Sequence, residues 1–120
     1  PPGVGRPFKV GMRPNAATRE RLSLLADAGC SLFHCGIEAG DATLRRETLN
    51  RRTDDATLQR VFDDARELGL ETSASLMTQL PGETRAHAEA TLGRVRRLRH
   101  GPSVWSPYQP LACTPLAAPV

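Results

Sequence analysis

Glu38 is the residue of this chain best placed to do chemistry. It closes an apolar β-type run, Leu32-Phe33-His34-Cys35-Gly36-Ile37-Glu38, and is followed by Ala39, Gly40 and Asp41. Side chains alternate along a strand, so Leu32, His34, Gly36 and Glu38 share one face, and Phe33, Cys35 and Ile37 the other. Gly40 permits a turn directly after the strand, and Asp41 is suited to cap a helix beginning at Ala42. Where strand, loop and helix follow each other in this way, ligands gather beyond the carboxyl ends of the strands, where Glu38 falls. A solvated loop glutamate is the other reading that the run by itself leaves open.

A second polar set lies on a strand over residues 71–80. Thr72, Ala74 and Leu76 would face one side, and Ser73, Ser75, Met77 and Gln79 the other. A face carrying two serines and a glutamine does not suit a dry core and is expected to line a wet or ligand-holding cavity. The three cysteines, Cys30, Cys35 and Cys113, are odd in number and lack the close pairing of a zinc site or redox motif, so buried free thiols are expected.

These groups need a scaffold, and the pattern supplies one. Phe8, Val10 and Met12 alternate in a first strand that ends at Arg13 and Pro14. Asn15 is expected to cap a helix carrying Leu22, Leu25 and Ala26, stopped by Gly29. After the Glu38 strand comes a short helix over 42–49. Thr53 is then expected to cap a stronger helix with Asp54 and Asp55 in its first turn and a stripe of Leu58, Val61, Phe62, Ala65 and Leu68, ended by Gly69. Pro81, Gly82, Glu83 and Thr84 make the turn and cap of a last helix, with stripe Ala88, Leu92, Val95 and Leu98 and a stop at His100-Gly101-Pro102. A fourth strand over 104–108 and a proline-rich loop complete the order β-α-β-α-α-β-α-β. Helical crossovers imply a parallel sheet, and a parallel sheet with one open polar face implies part of a larger TIM-like (β/α) barrel.

At 120 residues, with 39% apolar and 24% charged content, the chain has the size and composition of one globular domain. Aromatic content of 4% leaves the core to Leu, Val and Ala. A net charge of +3 permits nucleic-acid contact without arguing for it. No run is long enough to span a membrane and residues 1–7 lack the features of a signal peptide, so a cytoplasmic location is expected. Residues 1–7, with three prolines and two glycines, read as a linker or truncated edge, residues 8–116 as the structured part and 117–120 as a tail.

Three segments occur in order: Gly36-Ile37-Glu38-Ala39-Gly40, Leu80-Pro81-Gly82-Glu83-Thr84, and Pro110-Leu111-Ala112-Cys113-Thr114-Pro115-Leu116. Together they resemble the radical S-adenosylmethionine (radical SAM) superfamily, nearest the branch of cobalamin-dependent methylases and cyclases and tRNA methylthiotransferases. Asn50-Arg51-Arg52-Thr53 and the stretch from Glu67 to Thr72 fit the same family, and the likeness covers residues 8–116. Two departures stand out: Gln79 where the family has Gly, which would crowd the cofactor cavity, and Ala112-Cys113 in place of Pro-Gly. The family's Cys-x-x-x-Cys-x-x-Cys cluster motif is not in this sequence, and the spacing of Cys30, Cys35 and Cys113 cannot replace it. The resemblance therefore implies the later part of a core barrel whose 4Fe-4S ligands lie outside this chain.

The resemblance also implies roles. The complete enzyme would hold S-adenosylmethionine for reductive cleavage to a 5′-deoxyadenosyl radical, with cobalamin as a further cofactor in the nearest branch. An electron donor of flavodoxin or ferredoxin type and a small-molecule or tRNA substrate would be its partners, without a membrane. Glu38, with Gly36 and Gly40 beside it, matches the strand-end carboxylate that meets the cofactor's methionine or ribose part. Met77, Gln79 and Pro81 lie in the stretch along which the adenosyl group runs, and Arg13 would meet the cofactor carboxylate or a substrate anion. His34 shares the Glu38 face and would line the substrate cavity or rest as a hydrogen-bonded interior histidine. Two other readings remain: a non-catalytic tRNA-binding module using Arg94, Arg96, Arg97, Arg99 and His100, or a fragment of an unrelated β/α barrel. A phosphate-binding barrel is disfavoured, because Glu83 sits in the turn where an anion would have to bind.

Overall fold

The computed structural model describes residues 6–99 and 101–108. The third family segment, Cys113, His100 and most of the expected linker lie outside the described residues. Four strands, β1 (Phe8–Gly11), β2 (Cys30–Glu38), β3 (Glu71–Thr78) and β4 (Ser103–Pro107), alternate with α1 (Arg19–Asp27), α2 (Ala42–Glu47), α3 (Asp55–Glu67) and α4 (Arg85–Leu98). The sheet order is β1-β2-β3-β4 and every pair is parallel, with Val10 beside Phe33, Cys35 beside Ala74 and Leu76 beside Trp105. Parallel neighbours in chain order, joined through helices, are the local topology of a (β/α) barrel.

The alternation along β2 and β3 sets the two faces. Phe33, Cys35 and Ile37, together with Ala74 and Leu76, point into a core shared with Leu22 of α1, Leu58, Val61, Phe62 and Ala65 of α3, and Leu98 of α4. Leu76 is 1% exposed, so the register of β3 is the one the sequence implies. His34, Gly36 and Ser75 take the opposite face and are only half-buried. The helices thus cover one side of the sheet and leave the other for a site.

Several helix boundaries differ from expectation. Pro14 starts a short 3-10 turn, Pro14–Ala16, which takes up Asn15, and the cap of α1 is Thr18, whose Oγ1 accepts from Arg21 N–H at 3.2 Å. Asp54, not Thr53, caps α3 by accepting from Thr57 N–H at 2.7 Å, and hydrogen bonds from the Thr57 side chain and then its backbone hold the Asp54 carboxyl below the usual range. Thr53 is buried instead, because its carbonyl is claimed by a buried arginine. Asp41 caps α2 as expected, accepting from Leu44 N–H at 2.8 Å, and Thr84 caps α4 in a capping box with His87. β3 ends at Thr78 rather than 80, since Gln79 takes a left-handed φ of 59°.

The expected stripe of α4 holds at Val95 and Leu98, which pack on the core, but not at Ala88 and Leu92. Thr91, Arg94 and Leu98 face inward, while Ala88 and Leu92 are exposed. Two anchors turn the helix: Thr91 Oγ1 accepts from Gly40 N–H at 2.9 Å, and Arg94 Nη2 pairs with Asp55 at 2.6 Å. α4 ends at Leu98 with Arg99 as its C-cap, in the left-handed conformation at φ 52°, directly before the expected stop.

Candidate functional site

The carboxylate of Glu38 stands at the end of β2 on a backbone the chain has had to force. Its φ is +66°, and Ala39 N–H donates to Ile37 C=O at 2.8 Å, closing a γ-turn with Glu38 at its centre. A non-glycine residue in that turn is strained, and such strain persists where surrounding structure over-determines it, often at binding sites. The sheet records the same distortion, since pairing with β3 slips between Gly36 and Glu38.

The side chain folds back over Gly36. A Cβ at position 36 would lie 2.6 Å from Glu38 Oε1, so the bare glycine gives the carboxylate its room. Glu38 is 9% exposed, yet among the described residues its partners are few: Ser75 Oγ donates at 3.4 Å, and Arg51 Nη2 stands 4.0 Å away. A carboxylate can accept about four hydrogen bonds. The rest of that capacity faces the open cleft, where an ammonium or hydroxyl donor would be well matched.

Behind the turn lies a buried cation. Arg45, 1% exposed, donates from Nη1 to Ala39 C=O at 3.0 Å, from Nε to Thr53 C=O at 3.1 Å and from Nη2 to Asp55 at 2.8 Å. Asp55 in turn binds Arg94, so α2, α3 and α4 are all tied to the peptide after Glu38. Gly40 secures that peptide by contact: a methyl there would overlap the backbone of Thr91 in α4. Its φ is not left-handed, so close approach, and not the turn expected of it, is what requires glycine.

Of the sequence-implied residues, Arg13, Gly36 and Glu38 line one open cleft of about 330 Å³ with His34, Arg51 and Ser75. His34 Nδ1 lies 2.7 Å from Ser73 Oγ, an interior pairing that holds the ring on the cleft wall. Gly40, Met77, Gln79 and Pro81 do not line it. Met77 packs with Ala39, Leu44 and Leu80, while Gln79 and Pro81 are exposed. Gln79 therefore does not crowd this cleft. Its left-handed φ shows why glycine would suit the position, and its N–H is satisfied by Glu83 Oε1 at 3.1 Å.

Arg51 and Arg45 carry weight that sequence reading missed. Both sit in polar stretches that look solvated, and only the repeated arginines of residues 45–52 hinted otherwise. Cys30 and Cys35 are free and buried in the core, and desolvation pushes the Cys35 thiol up to about 12. Among the described residues, no three His, Cys, Asp or Glu side chains gather as a metal site. The arginine patch of α4 is broken up, since Arg94 is buried against Asp55. Among the described residues no helix is long and apolar enough to cross a membrane.

A family model for the Radical SAM superfamily matches residues 5–95. No curated protein matches the sequence significantly. Among solved structures, the radical SAM enzyme coproporphyrinogen III oxidase (HemN) from Escherichia coli superposes with a TM-score of 0.79 at 24% identity, over 86% of this chain and 24% of that one. The radical S-adenosylmethionine methyltransferase TsrM from Kitasatospora setae, with cobalamin and a 4Fe-4S cluster bound, gives 0.82 at 23% identity over 92% of this chain and 22% of that one. TsrM with tryptophan and an S-adenosylmethionine analogue gives 0.75 at 23% identity, over 83% of this chain and 20% of that one. At these identities the likeness is one of fold, and the chain spans about a quarter or less of those proteins.

Proposed function

The chain belongs to the radical SAM superfamily, and from that premise we propose that its Glu38 cleft holds S-adenosylmethionine in a radical SAM enzyme. The observation that carries this reading is the Glu38 carboxylate itself: largely buried, turned toward the cleft, and held in a strained turn above a bare glycine. The residues present fit the cofactor, because its ammonium and ribose hydroxyls are donors suited to a carboxylate facing the cleft. Bound S-adenosylmethionine, given one electron, supplies a 5′-deoxyadenosyl radical for hydrogen abstraction.

The chain's own part is to bind and orient. Glu38 accepts from the ammonium or a ribose hydroxyl, and Gly36 leaves space for the carboxylate to lie flat against the sheet. Arg51 limits the cost of the buried charge, and Arg45 fixes the peptide that follows. Met77, Gln79 and Pro81, on the next strand and turn and outside the cleft lining, belong to the stretch along which the adenosyl group would run. The 4Fe-4S cluster draws its ligands from outside the described residues, since Cys30 and Cys35 face the core. Residues 8–116 make up the later part of the core barrel, of the cobalamin-dependent or methylthiotransferase-like branch, with cobalamin as a further cofactor and a flavodoxin or ferredoxin as electron donor. The tRNA-binding alternative is weakened by the burial of Arg94.

A crystal structure of the full-length enzyme with S-adenosylmethionine tests the reading. The expected result is a cofactor nitrogen or ribose hydroxyl within hydrogen-bond distance of Glu38. A cofactor bound on the other side of the barrel, with Glu38 meeting only protein, would overturn it.

A further inference from the structure

Beside the Glu38 cleft lies a larger pocket of about 450 Å³, formed where the loop after β1 faces the segment between α2 and α3. Three arginines line it, Arg13, Arg51 and Arg52, together with Asn50, and no Asp or Glu does. Of the neighbouring acidic groups, Glu38 stands 4.0 Å from Arg51 on the cleft side, and Asp54 has its carboxylate engaged with the Thr57 amide as the cap of α3. Arg13 and Arg52 have no carboxylate partner among the described residues. The backbone around it is held at several points: Pro14 and Thr53 are buried, Asn50 takes a left-handed φ of 53°, and Arg51 N–H donates to Arg45 C=O at 2.9 Å, while the Arg13 and Arg52 side chains are exposed. Arg13 and Arg51 line both cavities, so the basic pocket adjoins the cleft.

Arginines gathered on a concave surface, two of them without a carboxylate partner among the described residues, attract an anion, and their planar forks suit carboxylate or phosphate oxygens. We propose that this pocket binds an anionic group of the substrate, a carboxylate or a phosphate, and so seats the substrate beside the cofactor. The assignment to substrate rests on the reading that Glu38 holds S-adenosylmethionine. The cofactor's own carboxylate is the competing source of the same chemistry. Arg52 separates the two, since it lines the basic pocket and not the cleft.

The test uses the full-length enzyme saturated with S-adenosylmethionine, titrated at low salt with tricarballylate and with inorganic phosphate by calorimetry. At least one probe should bind saturably. Arg52→Gln should weaken it roughly tenfold while leaving S-adenosylmethionine affinity within about twofold, and Arg52→Lys should recover part of the loss. Arg96→Gln, at an exposed position on α4, should change nothing. The proposal is overturned if neither probe saturates, if Arg52→Gln leaves probe binding intact, if Arg96→Gln weakens it equally, or if Arg52→Gln weakens the cofactor instead. Failure of the parent to bind S-adenosylmethionine would sink the cofactor reading alone, because the same titration without cofactor still decides whether the pocket takes anions.

Discussion

Replacing Gly36 by alanine adds one methyl group to the open face of β2 and leaves every charge in place. The new Cβ would lie 2.6 Å from Glu38 Oε1 and 3.4 Å from Ser75 Oγ. The first contact is too close, so the carboxylate must retreat by several tenths of an ångström. It is the end of a flexible side chain and can do so, whereas the backbone at 36 has no positive φ to forbid alanine. Folding should therefore be unharmed, or improved by up to about 1 kcal/mol from the stiffer unfolded chain. Binding should suffer, because a charge-assisted hydrogen bond worth about 1.5 to 3 kcal/mol depends on that position, and its loss weakens affinity roughly tenfold or more. Equilibrium dialysis of S-adenosylmethionine and calorimetric unfolding, both on the full-length enzyme, read the two effects separately. Parent-like affinity in Gly36→Ala would refute the claim that Glu38 binds from its observed position. A steep loss of thermal stability would show that glycine serves packing instead.

Arg45→Met should destabilise the fold by about 2 to 4 kcal/mol, because it leaves the Ala39 and Thr53 carbonyls without their donor, and a denaturant midpoint shift equivalent to less than about 1 kcal/mol would contradict the network. Cys35 carries a pH signature: its thiol is raised to about 12 in the folded chain, so the folded state keeps a proton that the unfolded state releases near the ordinary thiol range. That stability is fully present below pH ~8.5 and is lost as pH rises toward 12, at up to about 1.4 kcal/mol per pH unit. Unfolding of the parent and of Cys35→Ala at pH 8 and pH 10 should show the slope shrink in the variant, and equal slopes would show that the thiol does not contribute.

The strands were legible because alternation is a local property. The faces of β2 and β3 follow from residue types alone, and with them the placing of Glu38 at a strand end on the open side. Asp41, Thr84 and Gly69 were legible as punctuation for the same reason. What was not legible is what only tertiary contact decides. Asn15 and Thr18 are both competent caps, and Pro14 drew Asn15 into a 3-10 turn. Ala88 and Leu92 looked like the inner face of α4, but Gly40 and Asp55 hold Thr91 and Arg94 inward instead. Arg45 reads as a solvated helix cation, since nothing local shows that two carbonyls and Asp55 await it. The site divides along the same line: its carboxylate and glycine were visible in the sequence, while Arg51 and the buried support from Arg45 were not.

The central claim is that the charge of Glu38 binds the cofactor. The affinity of the full-length Glu38→Gln enzyme for S-adenosylmethionine, measured with its unfolding temperature on the same preparation, tests it most directly. Glutamine keeps the size of the side chain and removes its charge, so the dissociation constant should rise roughly tenfold or more while the unfolding temperature stays close to the parent's. Parent-like affinity with earlier unfolding would contradict the account and make the carboxylate a structural group.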